Sequence, residues 1–217
     1  MFKHFHPFAP YINNDTKLLI MGTLPPPRFC TGEIKPDDVQ FCYGSKDNLL
    51  WKLLSHIYDT ELLYDNSQIA VDQRKKLLEE NQLGICDIVE YCHREKIDAS
   101  DIGMCEPIVF RDILGLIQKF ENLETIVFMG GLCKNSPEYF FKRILKENSI
   151  SYEHISKKEH FFHFDDREIK TVNVTSPSNA ANRAIGANPI YKENKIRDKN
   201  YSTFDFRVEE YKRVFKI

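Results

Sequence analysis

Residues 17–30, KLLIMGTLPPPRFC, run a short apolar segment straight into Gly22 and three consecutive prolines, Pro25, Pro26 and Pro27. An apolar run of this length bounded by breakers reads as a buried strand. The prolines exclude a helix interior and hold an extended path just past the strand's carboxyl end. In open α/β sheets, ligands bind at that end. Yet the centre of the loop is Leu24, which is neither an acid nor a nucleophile.

The same grammar recurs downstream. ETIVFMGG (124–131) is an apolar strand ending in glycine, and REIKTVNVTSPSNAANR (167–183) carries a β-rich run at 171–174 that closes in Ser-Pro-Ser. Helical patterns lie between. In SKDNLLWKLLSHIYD (45–59), Leu49, Leu50, Leu53, Leu54 and Ile57 fall at helical spacing, predicting a helix that starts near Asp47 or Asn48. DQRKKLLEENQ (72–82) predicts a surface helix, and LGICDIVEYC (83–92) a short strand or extended segment leading into a turn. EPIVFRDILGLIQKF (106–120) predicts an amphipathic helix with Phe110, Ile113, Leu114 and Ile117 on one side. SPEYFFKRILKEN (136–148) has a clear helix start, with Ser136 as cap, Pro137 at the first position and Glu138 in the first turn. Residues 188–201 are polar and read as irregular, and 203–215 as a closing helix. Strands alternating with helices argue a mostly parallel sheet covered on both faces, with the strand ends at Gly22, Gly130 and Thr175 on one edge.

Composition narrows the function classes. The 217 residues suit one domain and can bury a real core. Lys and Arg total 30 against 32 Asp and Glu, a net charge of -2, so any nucleic-acid footprint must be local. The six cysteines show no C-x-x-C pair, which argues reduced thiols in a cytosolic protein. There is no secretory signal, and no apolar run approaches the roughly 20 residues of a membrane span. A soluble, intracellular, monomeric chain is expected. Neither phosphate-loop pattern occurs at a strand-to-helix junction, which argues against nucleotide hydrolysis. No G-x-S-x-G elbow supports an unrelated α/β hydrolase.

The set GTLPPP, YGSKDNLLW (43–51), GICDIVEYC (84–92) and VTSPSNAANR (174–183) resembles the uracil-DNA glycosylase superfamily, over residues 17–183. YGSKDNLLW is most similar to the branch of hypoxanthine or mismatch-type glycosylases, whose motif reads roughly Tyr-x-x-x-x-Asn-x-Phe-Trp. The resemblance implies a three-layer α/β/α domain spanning 1–217, with a central, mainly parallel four-stranded sheet. The motif-bearing core would be 17–186, with a C-terminal extension from 187. It also implies hydrolysis of the N-glycosidic bond of a damaged or mismatched base in DNA, without metal or organic cofactor. Two departures matter. Better-known branches have Asp or Asn where this chain has Leu24, and a strand-end Asn where it has Phe128, Met129 and Gly130. The hypoxanthine-type branch also lacks the first-motif polar residue.

The residues then fall into roles. An enzyme acting on a base must extrude it into a pocket. Gly22, Thr23, Leu24, Pro25, Tyr43, Met129 and Gly130 are the candidate base-binding residues, Tyr43 as a stacking face or else an ordinary core aromatic. Asn48 is the candidate catalytic group, orienting the attacking water with its amide oxygen; plain N-capping explains it equally. Ser176, Pro177, Ser178, Asn179, Asn182 and Arg183 form the candidate DNA-binding loop, or simply the cap of a short helix. Asp87 is either a second acid or a turn residue, the latter favoured. HFFHFDD (160–166) reads as a surface turn flanked by buried aromatics rather than a metal site. The rival reading of the whole chain is a catalytically silent nucleic-acid-binding protein of the same fold.

Overall fold

The computed structural model of the chain describes residues 1–131 and 133–216. In chain order its strands are β1 (Phe2–Phe5), β2 (Leu18–Gly22), β3 (Leu83–Asp87), β4 (Val89–Arg94), β5 (Met104–Phe110), β6 (Thr125–Met129), β7 (Glu153–His154), β8 (Glu159–Phe164) and β9 (Arg167–Val174). Its helices are α1 (Arg28–Thr31), α2 (Leu50–Tyr58), α3 (Gln68–Glu80), α4 (Ile113–Lys119), α5 (Pro137–Glu147), α6 (Asn182–Ala187), α7 (Pro189–Arg197) and α8 (Thr203–Phe215).

The main sheet has six strands in the order β3-β2-β6-β9-β8-β7. Its first four strands are mutually parallel, and β8 and β7 add to the edge antiparallel. The expected four-stranded parallel sheet is therefore one side of a larger, six-stranded mixed one. Hairpins supply the extra strands, because Asp165 and Asp166 both take left-handed backbone angles (φ 49° and 61°) in a tight turn between β8 and β9, the geometry two-residue hairpin loops favour. A second, three-stranded antiparallel sheet, β1-β4-β5, stands beside it.

Every residue of β2 is buried, as a central parallel strand requires. Alternate side chains serve two cores. Leu18, Ile20, Ile85, Val127 and Val174 pack with α2, α3 and α8, while Leu19, Met21, Ile126, Phe128 and Ile169 pack with α4 and α5. The expected closing helix matches α8, whose Ser202 and Asp205 form a reciprocal capping box. Ser136 and Pro137 open α5 as the sequence indicates. Among the described residues, no helix is long and apolar enough to cross a membrane.

Three expectations are corrected. The helix expected over 106–120 exists only as α4, capped by Asp112; residues 104–110 instead form β5, pairing with β4. Pro107 and the β-branched Ile108 and Val109 suit a strand, and sheet pairing overrides the helical period. Residues 83–92 form two strands in two different sheets rather than a strand and a turn. Residues 189–197, expected to be irregular, form α7, opened by Asn188 as cap with Pro189 at its first position.

Candidate active site

The parallel strands β2, β3, β6 and β9 deliver their carboxyl ends to one edge. A cleft of about 150 Å³ opens there. Gly22, Thr23, Leu24 and Pro25 line it together with Tyr43, Ser45 and Asn48, with Met129 at the end of β6, and with Ser176, Pro177 and Ser178. Motifs far apart in sequence thus meet in one concavity. Gly130, Asn179, Asn182 and Arg183 stand outside the lining.

Two acids complete it. Gly22 and Asp87 are register partners at the ends of β2 and β3. A Cβ on Gly22 would collide with the Tyr43 hydroxyl and lie 2.6 Å from Asp87 Oδ1, so the phenol and the carboxylate approach only because this position has no side chain. Asp87 is 4% exposed. Its Oδ2 lies 2.9 Å from His6 Nε2, and His6 Nδ1 accepts the Phe8 N–H at 3.1 Å. That acceptor role places the neutral ring's proton on Nε2, donating to Asp87. Asp87 Oδ1 is buried with no hydrogen-bond partner. A turn residue would satisfy backbone amides with that oxygen; here it takes none, and Asp87 lines the cleft.

The second acid, Asp101, lies in a short 3₁₀ turn before β5, where no motif or periodicity in the sequence marks it. Thr23 Oγ1 donates to its Oδ1 at 2.6 Å, and Asn135 Nδ2 donates to its carbonyl at 2.9 Å. Desolvation raises its pKa to about 6, against the opposing pull of the Thr23 hydrogen bond and the Arg94 charge, with the Asp87 charge adding to the rise. Arg94, fully buried, holds this turn by donating to the Ser100 carbonyl and to His4 Nδ1. Burial together with the Arg94 charge depresses His4 to about 4, so it is a neutral acceptor.

Tyr43 has a left-handed backbone (φ 57°). Burial first, then the Asp87 charge, pushes its hydroxyl well above the usual phenol range, so it presents a neutral ring. Its loop is set by Asp38, which takes a two-pronged bond from Arg28 (2.7 Å each) and the backbone N–H groups of Lys35 and Lys46. Burial alone would raise the Asp38 pKa, but those donors outweigh it and hold it at about 2. Arg28 is thus committed to the loop.

Asn48 stands one residue before Leu49, the cap position of α2, which has no side-chain cap bond, and it lines the cleft. Its Oδ1 accepts the Leu50 N–H at 2.8 Å, so the side chain does serve the helix start, although α2 begins two residues later than Asn48. It also bridges Ser178 across the motifs, beside a Leu49 N–H to Pro177 carbonyl bond of 2.9 Å. The Ser176 and Ser178 hydroxyls accept the Ser178 and Ala180 N–H groups, which leaves their protons to donate outward. Arg207, fully buried on α8, fixes the loop from behind: it donates to the Ser176 and Ser178 carbonyls, to Asn182 Oδ1 and to the Thr203 carbonyl. Asn182 therefore faces inward to Arg207, while Asn179 and Arg183 are exposed at the rim.

Comparison with known proteins places this fold and cleft among relatives. No protein-family model matches the chain. It is 30% identical over 132 residues to a hypoxanthine DNA glycosylase of Methanosarcina barkeri, covering 61% of this chain and 73% of that protein. A hypoxanthine DNA glycosylase of Methanosarcina acetivorans is 28% identical over 123 residues, 57% of this chain and 69% of that protein. The solution NMR structure of a candidate uracil DNA glycosylase from Methanosarcina acetivorans superposes with a TM-score of 0.55 at 19% identity, over 96% of this chain and 99% of that one, a likeness of fold. The chain belongs to the hypoxanthine DNA glycosylase family.

Proposed function

We propose that this chain is a monofunctional DNA glycosylase that hydrolyses the N-glycosidic bond of a deaminated or mismatched base, preferring hypoxanthine to uracil. The observation that carries the reading is the convergence of the four motif segments on a cleft containing a buried carboxylate oxygen, Asp87 Oδ1, without a partner. The relatives named hypoxanthine DNA glycosylase support the class of reaction.

In this reading the extruded base enters between the Gly22–Pro25 wall and Tyr43, whose neutral ring offers a stacking face. Met129 adds an apolar floor where an Asn would select uracil. As the base departs, the sugar gains oxocarbenium character. Asp87 Oδ1 receives the proton of the attacking water, and Asn48, held by Leu50, orients it. His6 fixes Asp87 through the opposite oxygen. Ser176 and Ser178 donate to the flanking phosphates without adding charge, and Arg183 reaches the backbone from the rim. One domain over the whole chain and a monomeric state complete the proposal.

The test is a panel of duplexes carrying hypoxanthine, uracil, xanthine or mismatched thymine, scored for alkali-sensitive abasic sites with no nicking before alkali. Hypoxanthine is expected to be released fastest. Intact duplex binding with no excision at enzyme excess hands the chain to the silent-binder reading.

A further inference from the structure

We propose that Asp101 is the acid that protonates the departing base, and that it biases the cleft toward purines. The inference rests on the glycosylase reading and adds a residue and a selection rule to it.

Asp101 shares the cleft with Asp87, but the two carboxyls are held differently. His6 braces Asp87 through Oδ2, leaving Oδ1 unpartnered. Thr23 braces Asp101 through Oδ1; among the described residues its Oδ2 makes no hydrogen bond. Its backbone is pinned on both sides, by Asn135 at its own carbonyl and by Arg94 at the carbonyl of Ser100. Thr23 and Asp101 both line the cleft, so this carboxyl stands beside the wall against which the base would lie.

The groups around Asp101 set its protonation. Arg94 opposes its proton, and Asp87 favours it. Tyr43, Cys92 and Cys133 also face it, and burial raises each of these above its usual range, so they stay neutral near pH 7. With its own pKa raised to about 6, Asp101 carries a proton far more often than an ordinary surface carboxyl. A carboxyl that keeps its proton suits the role of acid, and the His6-braced carboxylate beside it that of base.

The chemistry balances. The C1′–N9 bond breaks with its electron pair moving to the purine, and the Asp101 proton goes to N7, so the base leaves neutral. The water oxygen bonds C1′, and its proton passes to Asp87 Oδ1. One water is consumed, and one base and one abasic sugar form; the carboxyls restore their protons through solvent. Uracil leaves as an anion delocalised over its carbonyls and offers no equivalent basic ring nitrogen. An acid at this position therefore helps purines selectively.

The experiment compares wild type with Asp101→Asn, which keeps an acceptor for Thr23. Single-turnover excision of hypoxanthine and of its 7-deaza analogue is followed from pH 5 to 8. Wild type is expected to slow about tenfold per pH unit above pH 6. Asp101→Asn should be slower by about 10²–10⁴-fold at pH 6 and flat with pH, a size usual for general acid catalysis. Both proteins should be equally slow on the 7-deaza analogue. A wild-type rate in Asp101→Asn overturns the assignment, as does an equal loss on both substrates.

Free hypoxanthine is then titrated into each protein at pH 5.5 and 7.5. Tighter binding at low pH in wild type, absent in Asp101→Asn and for free 7-deazahypoxanthine, is expected even if the chain excises nothing. Binding that ignores pH in wild type rejects the Asp101 contact. Absence of excision with pH-dependent binding rejects only the glycosylase reading.

Discussion

His6 and Asp87 are 81 residues apart and meet at 2.9 Å at the base of the cleft, one oxygen of the carboxylate taken by imidazole and the other left without a partner. The strand register sets Asp87 beside Gly22, whose missing side chain leaves room for the other oxygen and for the Tyr43 hydroxyl. Asp87→Asn keeps the size of the side chain but cannot accept a proton from water. Single-turnover excision is expected to fall by about 10²–10⁴-fold, with duplex affinity nearly unchanged. An unaltered rate returns Asp87 to a structural role.

Asn48 separates capping from chemistry. Removing its bond to the Leu50 N–H in Asn48→Ala should cost about 1 kcal/mol of stability. If Asn48 also orients the nucleophile, the excision rate should fall by about 10²-fold or more. Asn48→Asp still caps but changes how water and the sugar cation are held. Thermal melts and single-turnover kinetics on the three proteins decide it; a lower melting point with a wild-type rate leaves only the cap.

Arg207 acts on the Ser176–Ser178 loop from behind, through bonds to both carbonyls. Lysine is a point charge without the planar fork needed to serve four acceptors at once. Arg207→Lys is therefore expected to lose about 1–3 kcal/mol in urea unfolding. DNA affinity should fall with it, because the serine hydroxyls lose their fixed aim. Unchanged affinity in a destabilised protein would separate this loop from the DNA interface.

Binding should respond weakly to salt. Each phosphate neutralised contributes about -0.9 to the slope of log affinity against log salt, and Arg28 is already committed to Asp38. A slope on the order of -2 to -4 is expected. Arg183→Ala should weaken binding to all sequences alike and make the slope shallower. A sequence-selective loss instead assigns Arg183 to base reading.

Two carboxyls give stability opposite dependences on pH. Asp38 titrates at about 2 in the folded chain against an ordinary 3.8, so its contribution is complete above pH 3.8 and is lost as pH falls toward 2. Asp101 titrates at about 6 against the same ordinary value, so the folded state holds its proton longer and stability declines as pH rises from about 4 to 6. Urea midpoints from pH 2 to 7 should show Asp38→Asn removing part of the acid limb and Asp101→Asn removing the decline between 4 and 6.

Much of the frame was legible in the linear chain, because its signals are local. Breakers after Met21 and Met129 ended strands where expected, Ser136 and Pro137 opened a helix, and residues 203–215 formed the closing helix with those same bounds. The lining of the cleft by Leu24, Tyr43, Asn48, Met129 and Ser176 followed from their motifs. Where local signals conflicted, the sheet won: residues 104–110 joined β4 despite a helical period, since pairing satisfies their backbone and suits Ile108 and Val109.

The acids and their supports belong to the tertiary structure alone. Asp101 sits in a short turn with no periodicity to mark it, and its proximity to Thr23 spans 78 residues. Arg207 looks like one more charge on an amphipathic helix until α8 docks behind the Ser176–Ser178 loop. Spacing and turn chemistry act over a few residues and can be read along the chain. Burial, an orphaned carboxylate oxygen and a raised pKa depend on which distant groups the packed strands and helices bring together, so only the folded chain determines them.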